Sequence, residues 1–452
     1  MLAKAFRNFM IRRTISAKLR NRGMNTFSNH EILVNLRKSS EEKREEENRP
    51  HEVIYFHKVD DPYSHLTIHF VDKLLSTFDI TLVPILVGEE DSDSVHEPTL
   101  YNKYCLEDAT RIAPYYGIDF SPDSHPRQTL VDLSNAILTA VEDHKFIELA
   151  RTVSKALWQE DENTLKELSK EYNSTESEVS QNLKEGNSIR NEKGYYFGSA
   201  FYYEKELYWG VDRIHHLEDR LIELGVKNDL INEPICAPRL KSPVSFESSK
   251  KVDLHYYPSL NSPYTYVSAK RVRELRDNYP VNLVTRPVLP MLMRNMTIPQ
   301  YKAKYIISDA AREGRKNDYP MGEIYSPIGK PARKAYSLFP AIDEAGKGFE
   351  YIDELLRASF YEGINIGEDE YLQSLVESLN LDWSFIKKDL NSRKWKKVLD
   401  QNLQDMYAGN CWGVPSFKIT DQDGSNPFYL WGQDRMWLLK EEIFKRIGNR
   451  DD

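Results

Sequence analysis

The 452-residue chain is poor in cysteine, in net positive charge and in long apolar runs, and each shortage excludes a class of function. Its three cysteines, Cys105, Cys236 and Cys411, include no pair at Cys-x-x-Cys spacing. They are too few and too scattered for a disulfide framework, a dithiol redox centre or a structural zinc site, and they suit a reducing compartment. No stretch approaches the roughly 18 consecutive apolar residues of a membrane-spanning helix, so no membrane partner is expected. Lys and Arg total 61 against 70 Asp and Glu, a net charge of −9, and nucleic acid finds no broad basic surface here.

Charge is nevertheless uneven. Met1 to His30 contains no acidic residue but carries Lys4, Arg7, Arg12, Arg13, Lys18, Arg20 and Arg22. This pattern fits either a mitochondrial transit peptide or the start of a basic surface helix that continues into the mixed-charge run Arg37 to Arg49. We therefore read residues 1–50 as a charged helical arm.

Beyond it the same order of features occurs twice. Val53-Ile-Tyr-Phe precedes Asp61-Pro62-Tyr63-Ser64, a helix-period stretch and a second strand from Ile80; Val252-Asp-Leu-His-Tyr-Tyr precedes Ser262-Pro263-Tyr264-Thr265, another such stretch and Val281-Asn-Leu-Val. Tyr104, Asp108 and Arg111 match Tyr305, Asp309 and Arg312, and Tyr208 to Arg213 matches Leu430 to Arg435. Each half thus reads as a βαβ unit, a helical middle, a hairpin and a last helix. The expected fold class is α/β, with domains over 51–235 and 252–448 joined by a linker over 236–251. The aromatic clusters Tyr195-Tyr196-Phe197 and Tyr202-Tyr203 read as strand.

The second half resembles the 2-hydroxychromene-2-carboxylate isomerases and kappa-class glutathione transferases of the DsbA family. The likeness rests on Ser262-Pro263-Tyr264-Thr265-Tyr266, Arg286-Pro287-Val288, Trp412-Gly413-Val414-Pro415-Ser416 and Trp431-Gly432-Gln433-Asp434-Arg435. The first half resembles the same family with altered key positions. The resemblance implies two tandem thioredoxin-like domains, each with a helical insertion, and glutathione as cofactor or co-substrate. Tandem fusions of this kind resemble bacterial proteins, which favours a cytoplasmic location over the mitochondrial matrix.

Ser262 is the expected catalytic residue. Ser before Pro is a helix-capping pair, and a helix N-terminus favours an anion; in the family the matching serine faces the sulfur of glutathione. By the same resemblance Pro415 is cis, the backbone of Val414 pairs with the cysteinyl unit, Gln433 and Asp434 receive the γ-glutamyl end, and Asn295 is a further glutathione contact. In the first half Asp61 replaces the serine, where a carboxylate would raise a neighbouring thiol's pKa. Gly198-Ser199-Ala200 stands at Gly413-Val414-Pro415, so the proline is lost, although Asp212-Arg213 remains. That half reads as a packing partner or substrate wall; a rival reading makes His57, Asp60, Asp61 and His65 an acid–base or metal cluster, and no metal is expected.

The expected function is a glutathione-dependent transferase or isomerase acting on a small hydrophobic or aromatic electrophile, as a homodimer or as an intramolecular domain pair. The alternatives are a DsbA-family thiol–disulfide oxidoreductase-like protein without Cys-x-x-Cys, and a non-catalytic binding module.

Overall fold

A computed structural model describes residues 17–90, 93–228, 233–240 and 250–447. Lys4, Arg7, Arg12 and Arg13, the linker residues 241–249 and residue 448 lie outside them. The chain divides into two compact units, Val34–Leu240 and a second made of Lys241–Asp452 with Met1–Leu33. The arm expected over 1–50 is therefore split between them. Among the described residues no helix is long and apolar enough to cross a membrane.

The N-terminal unit takes in most of α1 (His30–Glu46), then β1 (Glu52–His57), α2 (Pro62–Thr77) and β2 (Thr81–Leu86). Helices α3 (Pro98–Ile112), α4 (Gln128–Thr139), α5 (Asp143–Trp158), α6 (Glu162–Glu171) and α7 (Glu176–Glu192) follow. The unit closes with β3 (Ala200–Tyr203), β4 (Glu206–Trp209) and α8 (Gly210–Glu223). The sheet order is β2-β1-β3-β4, with β1 and β2 parallel and the other pairs antiparallel. From Val53 onward every residue of β1 is buried, as expected of a central strand covered on both faces.

The C-terminal unit repeats this order as β5 (Val252–Tyr257), α9 (Pro263–Asn278) and β6 (Val281–Thr285). Its insertion holds α10 (Gln300–Lys316), α11 (Lys330–Glu344), α12 (Gly348–Phe360), α13 (Asp369–Ser378), a single turn at Trp383–Ile386, and α14 (Lys394–Ala408). It ends with β7 (Ser416–Asp421), β8 (Phe428–Trp431) and α15 (Met436–Ile447), and the sheet order is β6-β5-β7-β8 with the same strand directions.

The insertion core is mainly Leu, Ile, Val and Ala, with buried aromatic rings set among them. Tyr336 is fully buried but not orphaned: its hydroxyl donates to Val288 O at 3.0 Å and accepts from Leu260 N at 3.1 Å. Tyr351 likewise donates to Ala335 O at 2.8 Å. Each such ring contributes about 1.5–3 kcal/mol by burial while its polar tip stays paired. The Leu260–Tyr336 bond matters most for function, because it anchors the loop that leads into α9.

One strand reading needs correction. Tyr195, Tyr196 and Phe197 precede β3 and do not belong to it. They pack as a ring cluster, with Tyr196 and Phe197 centroids 4.4 Å apart. Adjacent large rings can satisfy one another in an irregular segment, so aromatic density alone did not mark a strand there.

Candidate functional site

The site begins with the N-terminus of α9. Ser262 has extended backbone dihedrals, and its side chain accepts the amide of Thr265 at 3.1 Å, with Pro263 at the first helical position. The same hydroxyl donates to the carbonyl oxygen of Val414 at 3.3 Å. Val414 precedes Pro415 through a cis peptide bond. Ser262 and Val414 are both half-buried. Pro415 in turn receives Gly432 N on its carbonyl at 2.9 Å, which joins the loop to the turn before Gln433-Asp434. The structure thus brings Ser262, Val414 and Pro415 together and sets Asp434, half-buried, two residues beyond that turn.

The side chain of Gln433 is turned inward. Its side chain is 1% exposed; Nε2 donates to Glu313 at 2.8 Å and to Asp434, and Oε1 accepts from Arg271. It is an internal node between α9, α10 and the last turn, bonded inward and to the neighbouring Asp434. Asn295 is exposed and takes a left-handed conformation, φ 61°, closing the turn Met291–Arg294. Asn tolerates that conformation better than most residues, which accounts for the residue type without a ligand.

The structure adds a residue that the sequence reading missed. Lys302, on α10, is 5% exposed, and its Nζ lies 5.4 Å from the centre of the Trp412 ring. Burial lowers its ammonium to about 8. Arg294 also reaches this segment, donating to Trp412 O at 3.3 Å and to Tyr407 Oη at 3.2 Å. Two cations therefore bracket the residue that leads into Gly413-Val414. On an amphipathic helix a lysine normally reads as solvent-facing; only its packing on Trp412 reveals it.

Several bonds of this scaffold recur in the N-terminal unit. Tyr63 Oη donates to Asp108 at 2.7 Å, and Tyr264 Oη donates to Asp309 at 2.8 Å. Tyr55 reaches Ser64 O at 3.5 Å and stacks on Phe201, just as Tyr256 reaches Thr265 O at 3.5 Å and stacks on Phe417. The register also corrects the expected match around the lost proline. Phe56 pairs with Ala200 as Tyr257 pairs with Ser416, and Gly210 N bonds Ser199 O as Gly432 N bonds Pro415 O. Ser199 therefore stands at Pro415 and Gly198 at Val414, one position from the expected correspondence.

Around these positions the chemistry is inverted. Asp61 caps α2, accepting from Tyr63 N at 3.2 Å and Ser64 N at 2.9 Å, and burial pushes its carboxyl up to about 6. A Cβ at Gly198 would lie 2.7 Å from Lys58 Cβ and 3.2 Å from Asp61 Oδ2, so backbone closes over the cap. Phe197, at the place of Gly413, stacks on Tyr101 with centroids 5.2 Å apart. The residues of the rival His57, Asp60, Asp61 and His65 reading have other partners: His57 Nδ1 meets Tyr55 Oη, His65 Nδ1 meets Ser154 Oγ, and Asp60 lies near Lys58. All three cysteines are buried and free.

The class of the C-terminal unit follows from its sheet, its capped helix and its comparisons. Residues 253–444 match the DSBA-like thioredoxin domain family, and the C-terminal half of the chain carries a DsbA-like thioredoxin domain. Among particular proteins, YwbO of Bacillus subtilis (strain 168) is 34% identical over 88 residues, 19% of this chain and 44% of that protein. The match thus spans less than half of that curated relative's length. Similar solved structures include a 2-hydroxychromene-2-carboxylate isomerase, 18% identical with TM-score 0.37 over 43% of this chain and 95% of that one. The cytosolic disulfide reductase DsbM from Pseudomonas aeruginosa is 18% identical with TM-score 0.34, over 43% of this chain and all of that one (100%).

Proposed function

We propose that the C-terminal unit is a glutathione-dependent transferase or isomerase acting on a small hydrophobic electrophile, and that the N-terminal unit is a diverged copy of the same domain without this chemistry. The observation that carries the reading is the Ser262 hydroxyl, held at a helix N-terminus within 3.3 Å of the Val414 carbonyl beside Pro415. The donor set suits the tripeptide. Ser262 offers a hydroxyl hydrogen, Val414 the backbone beside a cis proline, Asp434 a carboxylate for an ammonium, and Lys302 and Arg294 positive charge for a carboxylate.

Bound glutathione would supply a thiolate nucleophile. Ser262 would turn its hydroxyl from Val414 to the sulfur, and the partial positive charge of α9 would add to that donor in lowering the thiol's pKa. Asp434 and Val414 would fix the tripeptide's orientation, which converts an encounter into a positioned reaction. The N-terminal unit supports the contrast, since a carboxylate at Asp61 opposes a thiolate and Phe197 stacks on Tyr101 beside it. A cytoplasmic setting accords with three free, buried cysteines.

Turnover of a conjugated carbonyl or an activated aryl halide with glutathione tests the reading. We expect conjugation or isomerisation by the wild type and a loss of about 100-fold in kcat/KM for Ser262→Ala, the scale reached when one preorganised donor is removed. Equal rates in the two proteins would defeat it.

A further inference from the structure

The helix over residues 17–28 precedes the N-terminal unit in sequence but belongs to the compact unit that holds Ser262. It is fastened there by side chains with defined geometry. Asn25 makes a two-way amide pair with Ile324, donating to its carbonyl at 3.0 Å and accepting its amide at 2.8 Å. Asn21 accepts the amide of Ser326 at 3.0 Å. Ser308 donates to Phe27 O at 3.3 Å, Arg315 donates to Ser28 O at 3.4 Å, and Met24 packs against the insertion core. This pattern is that of a fitted element of the domain.

One of its contacts points at the site. Arg20 Nε donates to Ser326 Oγ at 2.8 Å, and Ser326 Oγ donates to Asn261 Oδ1 at 2.7 Å. Ser326 is 3% exposed, so water competes little for either bond. Asn261 immediately precedes Ser262, whose own amide closes a turn onto Ser259 O at 3.1 Å. The loop Ser259–Ser262 is thus held at Leu260 by Tyr336 and at Asn261 by Ser326. Arg20 supplies the charge-assisted end of the second tether, a stronger class of hydrogen bond than a neutral pair.

We propose that the helix over residues 17–28 is a working strap of the C-terminal site, in which Arg20, acting through Ser326 and Asn261, is a positioning residue for Ser262. The catalytic part of this inference rests on the glutathione reading above; the mechanical part does not. Removal of the strap, by truncation or by proteolytic processing beyond Arg20, would loosen the loop that aims the Ser262 hydroxyl. The N-terminal segment would then set the activity of a domain from which it is separated in sequence by an entire unit.

Hydrogen exchange and thiol titration on the full chain separate the two parts. In Arg20→Ala and Ser326→Ala, exchange of the amides from 259 to 265 should accelerate about tenfold, the factor carried by one lost charge-assisted hydrogen bond. In the double variant the effects should fall short of additive, because both substitutions cut one chain of bonds. The pH at which bound glutathione ionises, read from thiolate absorbance, should rise in Arg20→Ala, while affinity for S-methylglutathione, which has no thiol to ionise, should stay within about twofold of wild type. Unchanged exchange at 259–265 would overturn the strap whatever the ligand. Accelerated exchange with an unmoved titration would overturn the positioning role of Arg20. Failure of the wild type to bind either tripeptide would remove the glutathione reading and the positioning role with it, and the exchange result would then decide the mechanical strap alone.

Discussion

The hydroxyl of Ser262 donates to the carbonyl of Val414 across 3.3 Å, joining the cap of α9 to the residue before Pro415. It also accepts Thr265 N, so it does two jobs. Ser262→Ala should cost about 1 kcal/mol of stability as a lost cap, a shift of a few degrees in Tm. The activity loss should be far larger. A variant whose activity falls only in step with its stability would reduce Ser262 to a cap.

The paired tyrosines make a second test. Tyr63–Asp108 and Tyr264–Asp309 occupy equivalent places in their units. Tyr63→Phe and Tyr264→Phe should each cost about 1–3 kcal/mol, since each removes a bond to a charged acceptor. Denaturant unfolding checks this. A large cost in one unit and none in the other would contradict the structural equivalence.

Gln433 and Asp434 should separate cleanly. The Gln433 side chain serves the Arg271–Glu313 node and is buried, whereas Asp434 is half-buried at the site. Gln433→Ala should therefore destabilise by about 2 kcal/mol, the cost of breaking buried polar contacts, and leave the affinity of folded protein for glutathione near wild type. Asp434→Ala should do the reverse. Melting curves beside binding isotherms show which pattern holds.

Acid should weaken the N-terminal unit before it reaches the usual carboxylate range. Burial pulls His57 down to about 3; burial, followed by the neighbouring His69 and His57, pulls His65 down to about 3. The unfolded chain binds these protons near pH 6.5 and the folded unit does not, so stability is full above that pH and falls as pH drops from about 6.5 towards 3. Each histidine contributes up to about 1.4 kcal/mol per pH unit in that window. His57→Gln and His65→Gln should flatten the loss of Tm on acidification. An unchanged slope would show that other groups carry it.

Much of the scaffold was legible because it repeats. Ser262-Pro263 and Asp61-Pro62 each carry a cap and an N1 proline, signals that do not depend on distant contacts, and both helices start there. The match at Ser199 was off by one because strand register is decided by cross-strand partners, here Phe56–Ala200 and Tyr257–Ser416, that local spacing does not reveal. The inward placement of the Gln433 and Lys302 side chains was not legible for a related reason. Whether a polar side chain faces inward depends on partners far along the chain, Arg271 and Glu313 for one and Trp412 for the other. The strap was invisible for the same cause, since Arg20 and Ser326 are 306 residues apart.

Calorimetric titration of glutathione into the wild type and into Asp434→Ala tests the central claim most directly. The account predicts one site per chain in the wild type, with affinity between about micromolar and low millimolar, and its loss in the variant. Absence of binding to the wild type, or equal binding to both proteins, would contradict a glutathione site in the C-terminal unit.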